Sequence, residues 1–399
     1  MAVRDIKLLA AGFLLALLSS FGQTFFIALF GGQIRTELGL SHGAFGTLYA
    51  LATLVSGMAM LWVGAALDRV SLRLYAGVAT VLLAAACLLL AQTGNIILLV
   101  MALLGLRLAG QGMMSHASLT GMARAFLHNR GKAMALATLG HPAGEAMLPI
   151  LAVTGAAAFA WRSVWIGAAT ILVLAVPVLF RLLDGASGQR PTVSSTAGDV
   201  VAGSYSRSAM LRDWRFYLMV PALLGPSFIV TGLFFHQVHL IEVKGWELSW
   251  FATCFAAYAA ASTAGLLATG FLIDRLGAVR LMPVYLLPLC LGCAILALGN
   301  DRLVALAFMS LAGLSSGAAV TVVTAMWAEV YGLGHLGAIR ALGASLSVIS
   351  SALGPAAMGW LIDEDVSMDA IALGCTAYLA CATLSLLTAF LRPAASRQA

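Results

Sequence analysis

Two formal charges stand inside the long apolar runs of this 399-residue chain. Arg107 lies in LLGLRLAGQGMM and Glu145 in HPAGEAMLP. A guanidinium in such surroundings can hold an anion, and a carboxyl there can take up and release a proton. Burying either one alone in hydrocarbon is expensive, so each needs a partner, a use or both. Polar side chains at helical spacing extend the set. Gln111 falls one turn after Arg107 and His141 one turn before Glu145, which places each pair on a shared helix face.

The elements that must position these groups follow from composition. The chain is 61% hydrophobic and 10% charged, with a mean hydropathy of +0.99. A water-soluble domain carries roughly 25% charge, so this is an integral membrane protein in contact with the lipid bilayer. About 20 apolar residues cross a bilayer as a helix. Twelve stretches satisfy that length: 8–30, 42–66, 74–92, 96–122, 133–158, 163–180, 216–238, 249–272, 281–299, 303–326, 341–362 and 370–390. The start has the charge-then-apolar look of a secretory signal, but the apolar run continues into FGQTFFIALF, so it reads as a retained first helix.

Depth then pairs the two charges. Arg107 lies about eleven residues into the fourth span and Glu145 about twelve into the fifth, or ~16 and ~18 Å deep at 1.5 Å per residue. Opposite charges at similar depth on consecutive antiparallel helices predict an Arg107–Glu145 ion pair. A carboxyl between an apolar surround and a guanidinium is poised between its neutral and charged forms. Its protonation would free Arg107 to attract an anion; the plainer alternative is a static bridge that fixes helix packing. His141-Pro142 interrupts the fifth span and exposes backbone groups that must find partners or line a cavity. Gln23 in the first span and Tyr258 in the eighth are further candidates for polar and stacking contacts, with ordinary core packing as the alternative. His236 and His239 are expected near a water-accessible surface, and His42, His128 and His335 in solvated loops.

Other chemistries lack their residues. The six cysteines fall inside the expected spans, and Cys290-x-x-Cys293 has no second pair to complete a zinc site, so no metal or cofactor is expected. There is no phosphate loop, dinucleotide fingerprint or Ser-His-Asp arrangement, and the short loops leave no room for a catalytic domain. With the N-terminus in the cytoplasm, 17 of the 22 basic residues lie on the cytoplasmic side. That distribution obeys the positive-inside rule. It explains the net charge of +6 without nucleic acid and places both termini in the cytoplasm of a cell inner membrane.

The chain also repeats itself. Residues 181–215 form the one long polar segment, read as a cytoplasmic linker between six-helix bundles at 1–180 and 216–399. Gly64, Asp68 and Arg69 after the second span are echoed by Gly270, Asp274 and Arg275 after the eighth. An offset of 206 residues relates Asp68 to Asp274, Gly131 to Gly337 and Pro149 to Pro355. Duplicated halves of this kind mark many transporter folds.

The paired Gly-x-x-x-Asp-Arg loops, twelve spans and central linker resemble the major facilitator superfamily over essentially the whole chain. Arg107-x-x-Gly110-Gln111-Gly112, followed by GKAMALATLGHPAGEAMLP, is similar to its monocarboxylate porter and oxalate/formate antiporter branch, although the eighth span lacks the basic residue common there. The resemblance implies an all-α membrane protein of two pseudo-symmetric six-helix bundles. It also implies gating by Asp68, Arg69, Asp274 and Arg275. The expected activity is secondary transport of a small, anionic organic metabolite by a monomer, with protons as coupling ion. The alternatives are a proton-driven exporter of drugs or metabolites and, from another class, a transport-dead sensor or scaffold.

Overall fold

A computed structural model describes residues 3–126, 130–184, 207–332 and 334–391. Among these, eleven helices are long and apolar enough to cross a membrane. In chain order they are α1 (Arg4–Ala28), α2 (His42–Ala66), α3 (Leu72–Ala91), α4 (Ile96–Ala125), α5 (Gly131–Ala158) and α6 (Trp161–Leu182), then α7 (Trp214–Phe235) and α8 (Leu248–Leu276). A shorter apolar helix, α9 (Leu287–Leu298), precedes α10 (Arg302–Tyr331), α11 (Leu336–Asp363) and α12 (Met368–Phe390). Large apolar side chains such as Leu61, Trp62, Phe271 and Leu298 point outward, as a protein solvated by lipid requires.

Local chemistry sets the helix ends. Ser41, Ser71 and Asn95 accept from the backbone N–H groups of Ala44, Leu74 and Leu98, capping α2, α3 and α4. Short helices continue α1 and α7 (Gly31–Leu38 and Gln237–Lys244), and each stops at a glycine in the left-handed region, Gly39 at φ 63° and Gly245 at φ 67°. The expected ninth span is shorter than the sequence suggested. Residues 282–286 form turns and α9 covers 12 residues, because Pro283 and Pro288 cannot supply the N–H groups of a continuous helix. The interrupted stretch finds other partners: the Tyr285 carbonyl accepts from Ser315 Oγ at 2.6 Å, and the Tyr285 hydroxyl donates to the Ala222 carbonyl at 2.6 Å.

Small residues let the helices meet backbone to backbone. Gly313 and Gly317 on α10 press against the Tyr258 and Ser262 backbone of α8. Gly46 on α2 abuts Pro355 and Ala356 of α11, and Gly354 of α11 faces Phe228 and Gly232 of α7. α5 packs on α8 as well, so α2–α11 and α5–α8 join the two halves of the sequence.

Residues 185–206 of the expected linker lie outside the described residues, as do His128, Arg392 and Arg397. The linker's C-terminal part is helical, with Arg207–Arg212 preceding the start of α7. All six cysteines are free, and Cys381 on α12 is exposed.

Candidate functional site

Three helices depart from regular geometry where they meet. α1 breaks after a 3-10 turn at Ser19–Gly22, leaving Gln23 extended at φ −86°, ψ 153°. α4 widens into a π-helical stretch over Arg107–Met114. α5 is interrupted at Leu139, one turn before Pro142, where the ring removes the donor for the preceding turn. The irregular pieces touch each other. A Cβ on Gly22 would sit 2.7 Å from Gly110 Cα, and one on Gly144 would strike Ser20. Widened turns of this kind recur at functional sites.

Arg107 is 1% exposed at the centre of this junction. Its Nε donates to Thr53 Oγ1 at 3.2 Å; one terminal nitrogen donates to the Gly22 carbonyl at 3.3 Å and to Thr24 Oγ1 at 3.4 Å. The guanidinium lies 5.1 Å from the Tyr49 ring centroid. Tyr49 is itself fixed by a 2.6 Å bond between its hydroxyl and Thr24. Every one of these partners is neutral.

The expected Arg107–Glu145 ion pair is therefore not formed. The close Gly22–Gly110 crossing and the π-helical turn aim Arg107 at α1 and α2, away from α5. Glu145 is half-buried and makes no hydrogen bond or ion pair among the described residues. Its helix packs on α8, which carries Tyr258. Tyr258 is 6% exposed and packs on Phe234 and Phe255. His141 bridges the other two irregular helices, with Nδ1 3.4 Å from Ser19 Oγ and Nε2 3.5 Å from Ser115 Oγ. Gln23 and Gln111 are half-buried with no side-chain hydrogen bond among the described residues, which leaves their amides free for another partner.

The two loop motifs differ. Asp68 pairs with Arg124 at the end of α4, and Arg124 also donates to the Leu67 carbonyl at 3.0 Å. Arg69 is exposed beside them. In the second copy Asp274 and Arg275 are exposed and have no side-chain hydrogen bond or ion pair among the described residues. The anchoring there is done by Glu329 on α10, which accepts from the N–H groups of Ala278 at 2.7 Å and Val279 at 3.3 Å.

The opposite end of the bundle holds residues that the sequence did not single out. Asp363, closing α11, accepts from Ser41 Oγ at 2.6 Å and from the N–H groups of His42 at 2.9 Å and Gly43 at 2.8 Å. Gln237 donates to the Phe25 carbonyl at 2.8 Å. His236 is not water-exposed as expected: it is 4% exposed and bonded to the Pro355 carbonyl, and the half-buried His42 packs on both His236 and His239. The sequence signal for Asp363 was its place at the end of an apolar run, which resembles any border charge.

The model of the family described as Major Facilitator Superfamily matches residues 12–299 and 247–399. Among solved structures, the nucleoside transporter NupG is similar over 98% of this chain and 99% of its own, with a TM-score of 0.74 at 12% identity. A bacterial homolog of the human lysosomal transporter Spinster, in an inward-facing and occupied conformation, is similar over 98% and 95%, with a TM-score of 0.71 at 16% identity. At such identities the likeness is one of fold. A comparison with curated proteins gave no match.

Proposed function

This chain belongs to the major facilitator superfamily, and from that premise we propose that it carries a small anionic organic metabolite across the cell inner membrane by alternating access, coupled to protons. Two six-helix bundles, 1–180 and 216–399, would rock about the central junction, with 181–215 as the cytoplasmic linker and both termini in the cytoplasm. A monomer suffices for this motion, and neither metal nor cofactor enters it.

The observation that carries the reading is the setting of Arg107. Its charge is buried against hydroxyls, a carbonyl and an aromatic face, with no carboxylate in contact among the described residues. An anion entering beside Gln23 and Gln111 would supply the missing charge. Glu145 is the proton carrier in this scheme. It sits on α5, the helix that packs on α8 from the other half. Closing that contact around a carboxylate is costlier than around a neutral acid, so proton uptake and bundle movement are linked without a direct bond to Arg107. His141 would keep α1, α4 and α5 in register, and the Asp68–Arg124 pair beside Arg69 would close the cytoplasmic end. Asp274 and Arg275 would take a smaller part.

Proteoliposomes containing a pH dye test the proposal. An acidic metabolite that is the substrate should acidify the lumen when added outside. Glu145→Gln should abolish proton-driven accumulation while preserving exchange of labelled substrate. Undiminished accumulation by that variant would remove Glu145 from the coupling.

A second reading, proton-driven export of amphiphilic compounds, draws on an apolar cleft of about 530 Å³ between α7, α11 and α12, lined among others by Phe228, Leu346 and Tyr378. Raised dye accumulation in cells lacking the protein would favour it.

A further inference from the structure

At the end of the bundle away from Asp68, the two halves of the sequence are joined by a compact polar lock. The Asp363 carboxylate caps the first turn of α2 through Ser41, His42 and Gly43. Beside it three imidazoles from both halves meet. His42 lies 4.5 Å from His239 and 5.6 Å from His236, centroid to centroid. A carbonyl can only accept, so His236 Nε2 carries a proton and donates to Pro355 at 2.8 Å. The remaining space is a nearly filled pocket of about 10 Å³, lined by Arg35, Phe45, Phe235 and the three histidines. It has no room for a hydration shell.

We propose that this histidine cluster is a proton-operated latch, which stays shut while the imidazoles are neutral and opens when they are protonated.

The charges around it set the direction. Arg35 faces the cluster and is the nearest fixed cation; Glu242 and Asp363 are the nearby carboxylates. Asp363 already serves three donors. Glu242, on the same short helix as His239, can offset one added charge. A second or third imidazolium in the filled pocket is left uncompensated beside Arg35. Burial, more than any neighbouring charge, holds the buried His236 ring at about 4, against an ordinary value of about 6.5. His239 is lowered in the same direction, again mainly by burial. Opening admits water and returns the rings toward their ordinary value, so protons bind the open form more tightly. For His236 alone, linkage gives about a tenfold rise in the open-to-closed ratio on going from pH 7.5 to 5.5. In the proposed orientation this end faces outward, so acid outside exposes the carrier to the side from which protons enter.

Hydrogen exchange of the full-length protein in lipid nanodiscs reads this equilibrium without any substrate. Its failure would therefore leave the transport reading standing. The amides of His42 and Gly43, which donate to Asp363, should lose at least tenfold in protection at pH 5.5 relative to 7.5 once intrinsic rates are corrected. The Leu74 amide, capped by Ser71 at the other end, should not change. His236→Gln keeps a donor for Pro355 but cannot be charged, and should reduce the loss severalfold, the remainder coming from His42 and His239. His239→Gln, at a half-buried position less exposed to folding failure, should reduce it partially. Protection at His42 and Gly43 that is unchanged in the parent protein, or lost equally in both variants, would overturn the latch.

Discussion

Replacing Thr53 with valine tests the neutral cage around Arg107 most directly. The substitution conserves shape and removes one acceptor, the Oγ1 that receives Nε at 3.2 Å. Thr53 is 1% exposed, so water cannot take its place. A hydrogen bond to a charged group contributes about 1.5–3 kcal/mol in soluble proteins. Side-chain bonds in membrane proteins average ~0.6 and reach ~1.7 kcal/mol, because the unfolded chain in the membrane also finds partners. A charged donor with only three hydrogen-bonding contacts belongs at the upper end of that range. Thr53→Val should therefore cost about 1–2 kcal/mol, a five- to thirtyfold change in the folding equilibrium. Reversible unfolding in mixed micelles with increasing SDS measures it. Glu145→Gln supplies the counter-test. If Arg107 relies on neutral partners, removing the Glu145 charge should leave stability unchanged or raise it slightly, since a half-buried carboxylate without a partner is relieved. A Thr53→Val variant as stable as the parent, together with a Glu145→Gln variant destabilised by ~2 kcal/mol or more, would refute the cage and restore the ion pair.

Two further outcomes follow from the ends of the helices. Asp68→Asn should leave thermal stability nearly unchanged, because the Asp68–Arg124 pair is largely exposed and such pairs contribute ~0–1 kcal/mol. It should nonetheless slow transport, whereas Asp274→Asn, at a position with no ion pair among the described residues, should slow it less and also leave stability unchanged; equal transport defects in a liposome uptake assay would contradict the asymmetry. Glu37 is held below the usual carboxylate range chiefly by its hydrogen bond from Arg162. The stability it contributes is present above its unfolded value of about 4.3 and fades as pH falls through the lower folded value. Glu37→Gln should flatten stability against pH in that acid window and lower it by a constant amount above pH 6, as read by melting scans in detergent.

Much of the architecture was legible because apolar length and charge placement are local properties of a sequence. Eleven of the helices fall on stretches that hydropathy alone marks, and the ninth shortens at prolines visible in the chain. The partners of Arg107 were not legible. Counting residues along α4 and α5 gives depth, but which way a side chain points depends on rotation about the helix axis. Here a π-helical turn and the Gly22–Gly110 contact set that rotation. The lock at Asp363 was hidden for a related reason. Its donors lie about 320 residues away, and only the packing of α2 on α11 brings them together. His236 was assigned to water by its position near a helix end, before the closing of α7 against α11 had buried it. The duplicated Asp-Arg loops read as equivalent, yet Glu329 has taken over the anchoring in the second copy.

The glycine contacts between α8 and α10 carry a mechanical corollary. Where Gly265, Gly313 and Gly317 leave no gap between the two backbones, lipid cannot wedge in and neither rod can slide or twist independently. The pair is a double-thickness strut about 40 Å long. A push on Tyr258, about a third of the way along the strut, would be passed toward the Glu329 anchor at one tip and the Trp250–Arg302 contact at the other.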